Sequence, residues 1–206
     1  MSIVFETADV ESLVSADNEL AVARRFLNDA ALVGPDQHEV RDQILEFCDA
    51  NHDALHRTCL TGHLTGSAIV VSASGGQVLL IHHKKLHRWL QPGGHADGDG
   101  NLALVALKEA SEETGIVGLQ VVTTAIDLDI HSIPERGDEP THLHHDVRFV
   151  VLAPPEAEVI PNHETNGAAW IDAVDDAGLM ESDELRRLVS RGLEVAAQAR
   201  AASNAD

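Results

Sequence analysis

The sequence predicts an α/β/α sandwich with a mixed sheet, preceded by an N-terminal helical extension. Three observations predict it. Apolar residues keep helical spacing through residues 1–60, apolar or alternating runs from Leu64 onward read as strands, and those strands enclose one central helix and end on another.

In the extension, Ser15-Ala16-Asp17-Asn18 offers N-cap candidates for a helix whose Leu20, Ala23, Phe26, Leu27, Ala30 and Ala31 recur at helical spacing. Gly34-Pro35-Asp36 breaks it, and Val40, Ile44, Leu45 and Phe47 mark a second helix. Residues 1–62 are expected to form a cap on the main domain, residues 63–206, and either to close one side of a cleft or to support a dimer. From Leu64 the period changes. Gly66–Val71 and Val78–Ile81 read as buried strands joined by a Ser74-Gly75-Gly76 turn. The segment His82–Arg88 follows, the densest basic stretch in the chain, and its Lys85 and Arg88 are candidates for phosphate contact, the other reading being a solvated loop.

Trp89-Leu90-Gln91-Pro92-Gly93-Gly94 leads into the central helix, Leu102–Thr114. Ala103, Ala106, Leu107 and Ala110 give it an apolar stripe, and Gly115 stops it by taking the left-handed conformation. Its other side carries Glu109, Glu112 and Glu113 at i, i+3 and i+4. Like charges at that spacing repel by about a few tenths of a kcal/mol per pair, and they sit at the negative end of the helix dipole. A solvated charged face would normally interleave lysines, yet Lys108 is the only cation nearby. A hard divalent ion that prefers oxygen, Mg²⁺ or Mn²⁺, offsets the repulsion, and the two glycines after Pro92 let a backbone carbonyl join the carboxylates.

Beyond the helix, Val121–Ile130 and Leu143–Leu152 read as strands. Asp127, Asp129 and His131 alternate with apolar residues in the first, and His142, His144, Asp146 and Arg148 do so in the second. Paired antiparallel, they would put one polar set on one face, either as a wet, charge-paired surface or as a pocket wall in which His144 or Arg148 meets substrate. A metal site on His131, His142 and His144 is a further reading, set against histidines that are simply hydrogen-bonded. His95, just after Gly94, is a candidate substrate contact on the same terms. Ala168–Ile171 reads as a short strand, and Asp183–Ala202 as an amphipathic helix followed by a frayed tail.

The residues from Gly94 to Ile116 resemble the Nudix box. Gly94 matches the opening glycine, and Lys108-Glu109-Ala110-Ser111-Glu112-Glu113-Thr114-Gly115-Ile116 matches the distal half. Two positions depart: Gly100 stands where the box has a glutamate, with Asp99 beside it, and Lys108 stands where it has an arginine. Lysine keeps the charge and loses the planar two-pronged geometry. The resemblance covers about residues 64–200 and implies a Nudix-type sandwich. It also implies Mg²⁺- or Mn²⁺-dependent hydrolysis of a diphosphate linkage in a nucleoside diphosphate joined to another group. Metal would be held by Glu109, Glu112, Glu113 and the Gly94 carbonyl, with Lys108 orienting the glutamates. Glu112, Glu113 or Glu164, the last matching only in approximate position, would act as base. A homodimer is implied in the same way. The alternative function is a Nudix-like module that binds its ligand without cleaving it, which Gly100 and Lys108 make plausible.

Composition limits the partners. With 34 acidic residues against 14 basic, the chain carries a formal net charge of −20, which repels nucleic-acid polymers and anionic membranes but leaves room for a small anionic diphosphate once metal neutralises it. No run of 18 apolar residues and no signal-like N-terminus is present, and two cysteines without metal or redox spacing fit a reducing cytoplasm.

Overall fold

The structure, a computed structural model, describes residues 5–84, 87–137, 139–160, 165–172, 178–180 and 182–203. Along the chain run β1 (Thr7–Ala8), α1 (Leu20–Asn28), α2 (Pro35–Ala50), β2 (Gly62–Val71), β3 (Gln77–His83), β4 (Arg88–Leu90), β5 (Gly93–His95), α3 (Leu102–Thr114), β6 (Gln120–Val122), β7 (Asp127–Ile133), β8 (His142–Leu152), β9 (Thr165–Asp172) and α4 (Asp183–Ser203). These strands form one mixed sheet, ordered β1-β6-β8-β2-β3-β4, with β5 on β2, β7 on β8 and β9 on β3. The central pair, β2 and β8, is parallel over ten residues, and every residue of β2 is buried. Both of its faces are covered, as a parallel pair requires.

Alternation along those two strands builds two cores. Leu64, Ala68 and Val70 with Val147, Phe149 and Val151 pack against α1, α2 and α3, whereas Ile69 and Val71 with Val150 and Leu152 pack against α4. The mixed-sheet sandwich expected from the sequence is therefore present, with the N-terminal helices sharing a core with α3. Among the described residues, no helix is long and apolar enough to cross a membrane.

Several local expectations are corrected. Helix α1 ends at Asn28, because the chain turns so that Ala31 N–H donates to the Ala125 carbonyl, and its N-cap is Glu19, whose side chain makes no capping bond. Thr7–Ala8 adds a strand to a stretch expected to be wholly helical. The expected strand Val121–Ile130 is two, β6 and β7, since the six positions from Val121 to Asp127 span only three of β8, from Val151 to Arg148. The tail residues 204–206 lie outside the described residues.

The extension also explains the Gly100 departure. Asn18 N–H donates to the Gly98 carbonyl at 2.7 Å, Gly100 N–H donates to the Ala16 carbonyl at 2.9 Å, and Asp99 accepts from Ser15 Oγ and from the N–H groups of Ala16 and Asn101. The chain passes so close that a Cβ on Gly100 would overlap the Glu19 carbonyl. A glutamate cannot stand there while Ala16–Glu19 is docked.

One buried ionic network ties α4 to the sheet. Arg148 is bonded to Asp146 at 2.8 Å, Asp127 at 3.1 Å and Asp129 at 2.9 Å, and Arg187 of α4 grips the far oxygen of Asp127 at 2.7 Å. Asp146 in turn accepts from Thr65 and Ser67 of β2. Burial pushes the Asp129 carboxyl up, but the hydrogen bond from His131 and the Arg148 charge outweigh it and hold the group below its usual range.

Two outcomes follow for stability. Gly100→Ala should lower unfolding free energy by about 1–3 kcal/mol through overpacking against Glu19, measured by denaturant titration. Arg148→Ala should cost about 3–5 kcal/mol at neutral pH by stranding buried carboxylates. In the wild type the Asp129 contribution is complete above its ordinary pKa of 3.8 and fades as pH falls through the lowered folded value. In the variant the lowering by the Arg148 charge is lost while burial and the His131 hydrogen bond remain, so the folded pKa is higher than in the wild type and acidification toward pH 4 should shrink the difference between the two proteins; a difference independent of pH would refute the assignment.

Candidate active site

Strand register assembles one wall of a cleft. In the parallel pair, His63, Thr65 and Ser67 of β2 stand opposite His144, Asp146 and Arg148, and across the antiparallel pair Asp127, Asp129 and His131 of β7 stand opposite Arg148, Asp146 and His144. The polar stripe lies on the sheet face whose continuation carries α4. It opens into a cleft of about 870 Å³, which is bounded by β5, the glutamate side of α3 and the first turn of α4.

Helix α3 is anchored at both ends. Asn101 caps it by accepting from Leu104 N–H at 3.2 Å, and Gly115 closes it at φ 69°. Its apolar residues are buried, leaving Lys108 and Glu112 exposed and Glu109 half-buried. Glu113 is buried and accepts from the Gly93 N–H at 3.0 Å. A Cβ on Gly94 would overlap the Glu109 carboxylate, so the glycine lets that carboxylate lie directly against the β5 backbone. Glu109, Glu112, Glu113 and Gly94 thus converge on one side of the cleft, an all-oxygen donor set of the kind Mg²⁺ and Mn²⁺ take.

The other proposed contacts are spread along the same cleft. Arg88 is exposed at its rim, and His95 and His144 line it. Arg148 also reaches the wall, but its guanidinium is engaged by three aspartates, which is the charge-paired alternative of the sequence reading rather than the substrate contact. Lys85 and Glu164 lie outside the described residues.

Histidines cluster more tightly than the sequence reading placed them. His63, His95 and His144 have ligand atoms all within 4.8 Å of one another. His131 instead bonds Asp129 at 2.9 Å, and His142 bonds the Pro140 carbonyl at 2.8 Å, so the grouping of His131, His142 and His144 gives way to one that includes β2 and β5. Burial pushes the His95 pKa down to about 4, helped by the Arg57 charge, and that of His144 to about 2, helped by His95. Sequence reasoning missed His63 and Arg57. Arg57 lines the cleft while paired with Asp97 at 2.6 Å. The signal for His63 was available: His63, Thr65 and Ser67 alternate with Leu64, Gly66 and Ala68, the mark of a strand with one polar face.

Comparison with known proteins bears on the family and the fold. The family model for the NUDIX domain matches residues 62–190. No curated protein sequence matches the chain. Among solved structures, a C. elegans Ap4A hydrolase binary complex aligns with TM-score 0.52 at 17% identity, over 65% of this chain and 97% of that one. The E. coli dihydroneopterin triphosphate pyrophosphohydrolase aligns with TM-score 0.51 at 16% identity, over 64% and 95%. At these identities the two structures establish a shared fold. The family model spans more than half of the chain and includes the glutamate helix, the glycine turn and the central strands, so the chain belongs to the NUDIX domain family.

Proposed function

We propose that the protein hydrolyses a diphosphate linkage in a nucleoside diphosphate joined to another group, using Mg²⁺ or Mn²⁺. The observation that carries this reading is the convergence of Glu109, Glu112 and Glu113 on the Gly93-Gly94 turn at one side of the cleft. Glu109, Glu112, Glu113 and the Gly94 carbonyl would hold the ion. When bound, it supplies charge neutralisation for the diphosphate and acidity for the attacking water.

The chain's own residues divide the remaining work. Glu113 is committed to the Gly93 N–H and fixes the turn against α3. Glu112, the exposed member of the set, is placed to accept the proton of the attacking water. Arg88 at the rim meets the outer phosphate, and Lys108 contributes positive charge on the same helix. A volume of about 870 Å³ suits a nucleotide-sized ligand, near the upper end of the ~300–1,000 Å³ common for small-molecule sites. The two free cysteines, with burial pushing Cys48 up to about 11, accord with work in a reducing cytoplasm. The purified protein is assayed as it assembles, monomer or homodimer.

The test is phosphate-product release from a panel with Mg²⁺, with Mn²⁺ and with chelator. It includes ADP-ribose, sugar nucleotides, and the two compounds in the names of the similar structures, Ap4A and dihydroneopterin triphosphate. Metal-dependent turnover should fall by about a hundredfold or more in Glu112→Gln. Tight metal-dependent binding without turnover on any compound would overturn the reading in favour of a non-catalytic module.

A further inference from the structure

We propose that His63, His95 and His144 form a second metal site, separate from the α3 carboxylates, that takes a borderline transition-metal ion such as Zn²⁺, with His142 beside it as a fourth donor. This does not depend on the reaction proposed above.

The distances are those of a ligand cluster. His95 Nε2 and His144 Nε2 are 3.2 Å apart, and His142 Nε2 and His144 Nε2 are 3.4 Å apart. Two imidazoles bound tetrahedrally at about 2.0–2.1 Å from an ion have their nitrogens about 3.3–3.4 Å apart. The other separations within the trio do not exceed 4.8 Å, so small side-chain rotations close the set. His63 and His144 are cross-strand neighbours in the parallel pair, and His95 stands opposite Thr65 on β5, so rigid sheet backbone holds all three.

His63 supplies the independent pointer. It is 2% exposed, and among the described residues neither ring nitrogen meets hydrogen-bond geometry with a partner; the Cys59 carbonyl, already accepting from Gly62 N–H, exerts only a secondary pull on the ring. Its ring lies 4.8 Å from that of His95, 4.8 Å from that of His142 and 5.0 Å from that of His144. A buried polar group aimed into a nest of other imidazoles lacks a partner that a metal would supply. His145 makes the contrast clear: its nitrogens are also unpaired, but it faces the opposite core and stacks on Phe47 at 3.9 Å.

His142 shows the arrangement that typically surrounds a metal ligand. Its Nδ1 donates to the Pro140 carbonyl, which leaves the Nε2 lone pair facing His144. Neutral imidazoles suit zinc, copper, iron or nickel, whereas the oxygen set on α3 suits magnesium or manganese.

The experiment strips the full-length protein with chelator and titrates it with Co²⁺, reading ligand-field absorption, then displaces it with Zn²⁺ and measures metal content. Wild type and Glu112→Gln should bind a single equivalent with the strong absorption of a four-coordinate nitrogen site. His144→Ala should bind at least about tenfold more weakly. His95→Gln, at a less buried position, serves if the alanine variant fails to fold, with thermal unfolding as the check. Unchanged binding in the folded histidine variants, loss of absorption in Glu112→Gln, or no Co²⁺ uptake by wild type would each overturn the proposal. Turnover is not read, so the outcome is independent of whether the diphosphate reading stands.

Discussion

The ten-residue parallel register of β2 on β8 is the constraint on which the rest of the molecule depends. Because side chains alternate, one register fixes three things together: the core beneath α3, the core beneath α4 and the polar wall of the cleft. A slip of one residue would turn His144, Asp146 and Arg148 into the apolar core and Val147 and Phe149 into the cleft, so the hydrophobic pattern holds the site in place. The price of that economy is a set of charges buried in the middle of a sheet. The Arg148 network meets it by giving each buried carboxylate a cationic or hydroxyl partner, and Arg187 extends the arrangement to α4.

The N-terminal segment bears on the site through the same kind of close packing. Ala16–Glu19 runs over Gly98–Gly100, and Asp99 answers the segment by accepting from Ser15 Oγ and Ala16 N–H while also holding the start of α3 through Asn101 N–H. What reads in sequence as a degraded box position is thus a contact surface. The glutamate is absent because another part of the chain fills its space, and α3 is positioned from its N-terminal end by the extension.

Much of this was legible in the sequence, for physical reasons that differ by element. Helix α3 was clear because its stripe, its i, i+3, i+4 carboxylates and its terminal glycine are local signals, and local signals survive folding. The alternation in β7 and β8 was equally plain, and the antiparallel pairing under which their polar sets share a face is the one the structure has. Other features depend on distant partners. The break between β6 and β7 exists because both align on β8 with a three-residue surplus, which neither segment alone reveals. Arg148 resembled a ligand contact because sequence shows its charge but not the three aspartates that engage it. His63 was missed because the strand was read as beginning at Gly66, whereas β2 begins at Gly62 and its polar alternation lies in the part left out.

Strand β5 then divides the cleft by the simplest rule of strand geometry. Consecutive residues point to opposite sides, so Gly94 faces the Glu109 carboxylate while His95 faces His63 and His144. Oxygen donors therefore collect on one side of three residues of backbone and nitrogen donors on the other. The oxygen side is anionic and needs a cation before a phosphate can approach. Burial lowers the pKa values of His95 and His144 on the nitrogen side, so these rings stay neutral at pH 7 and their lone pairs stay open. In a chain of net charge −20, the local electrostatics of the cleft are thus set by what its oxygen and nitrogen donors bind rather than by the surface as a whole.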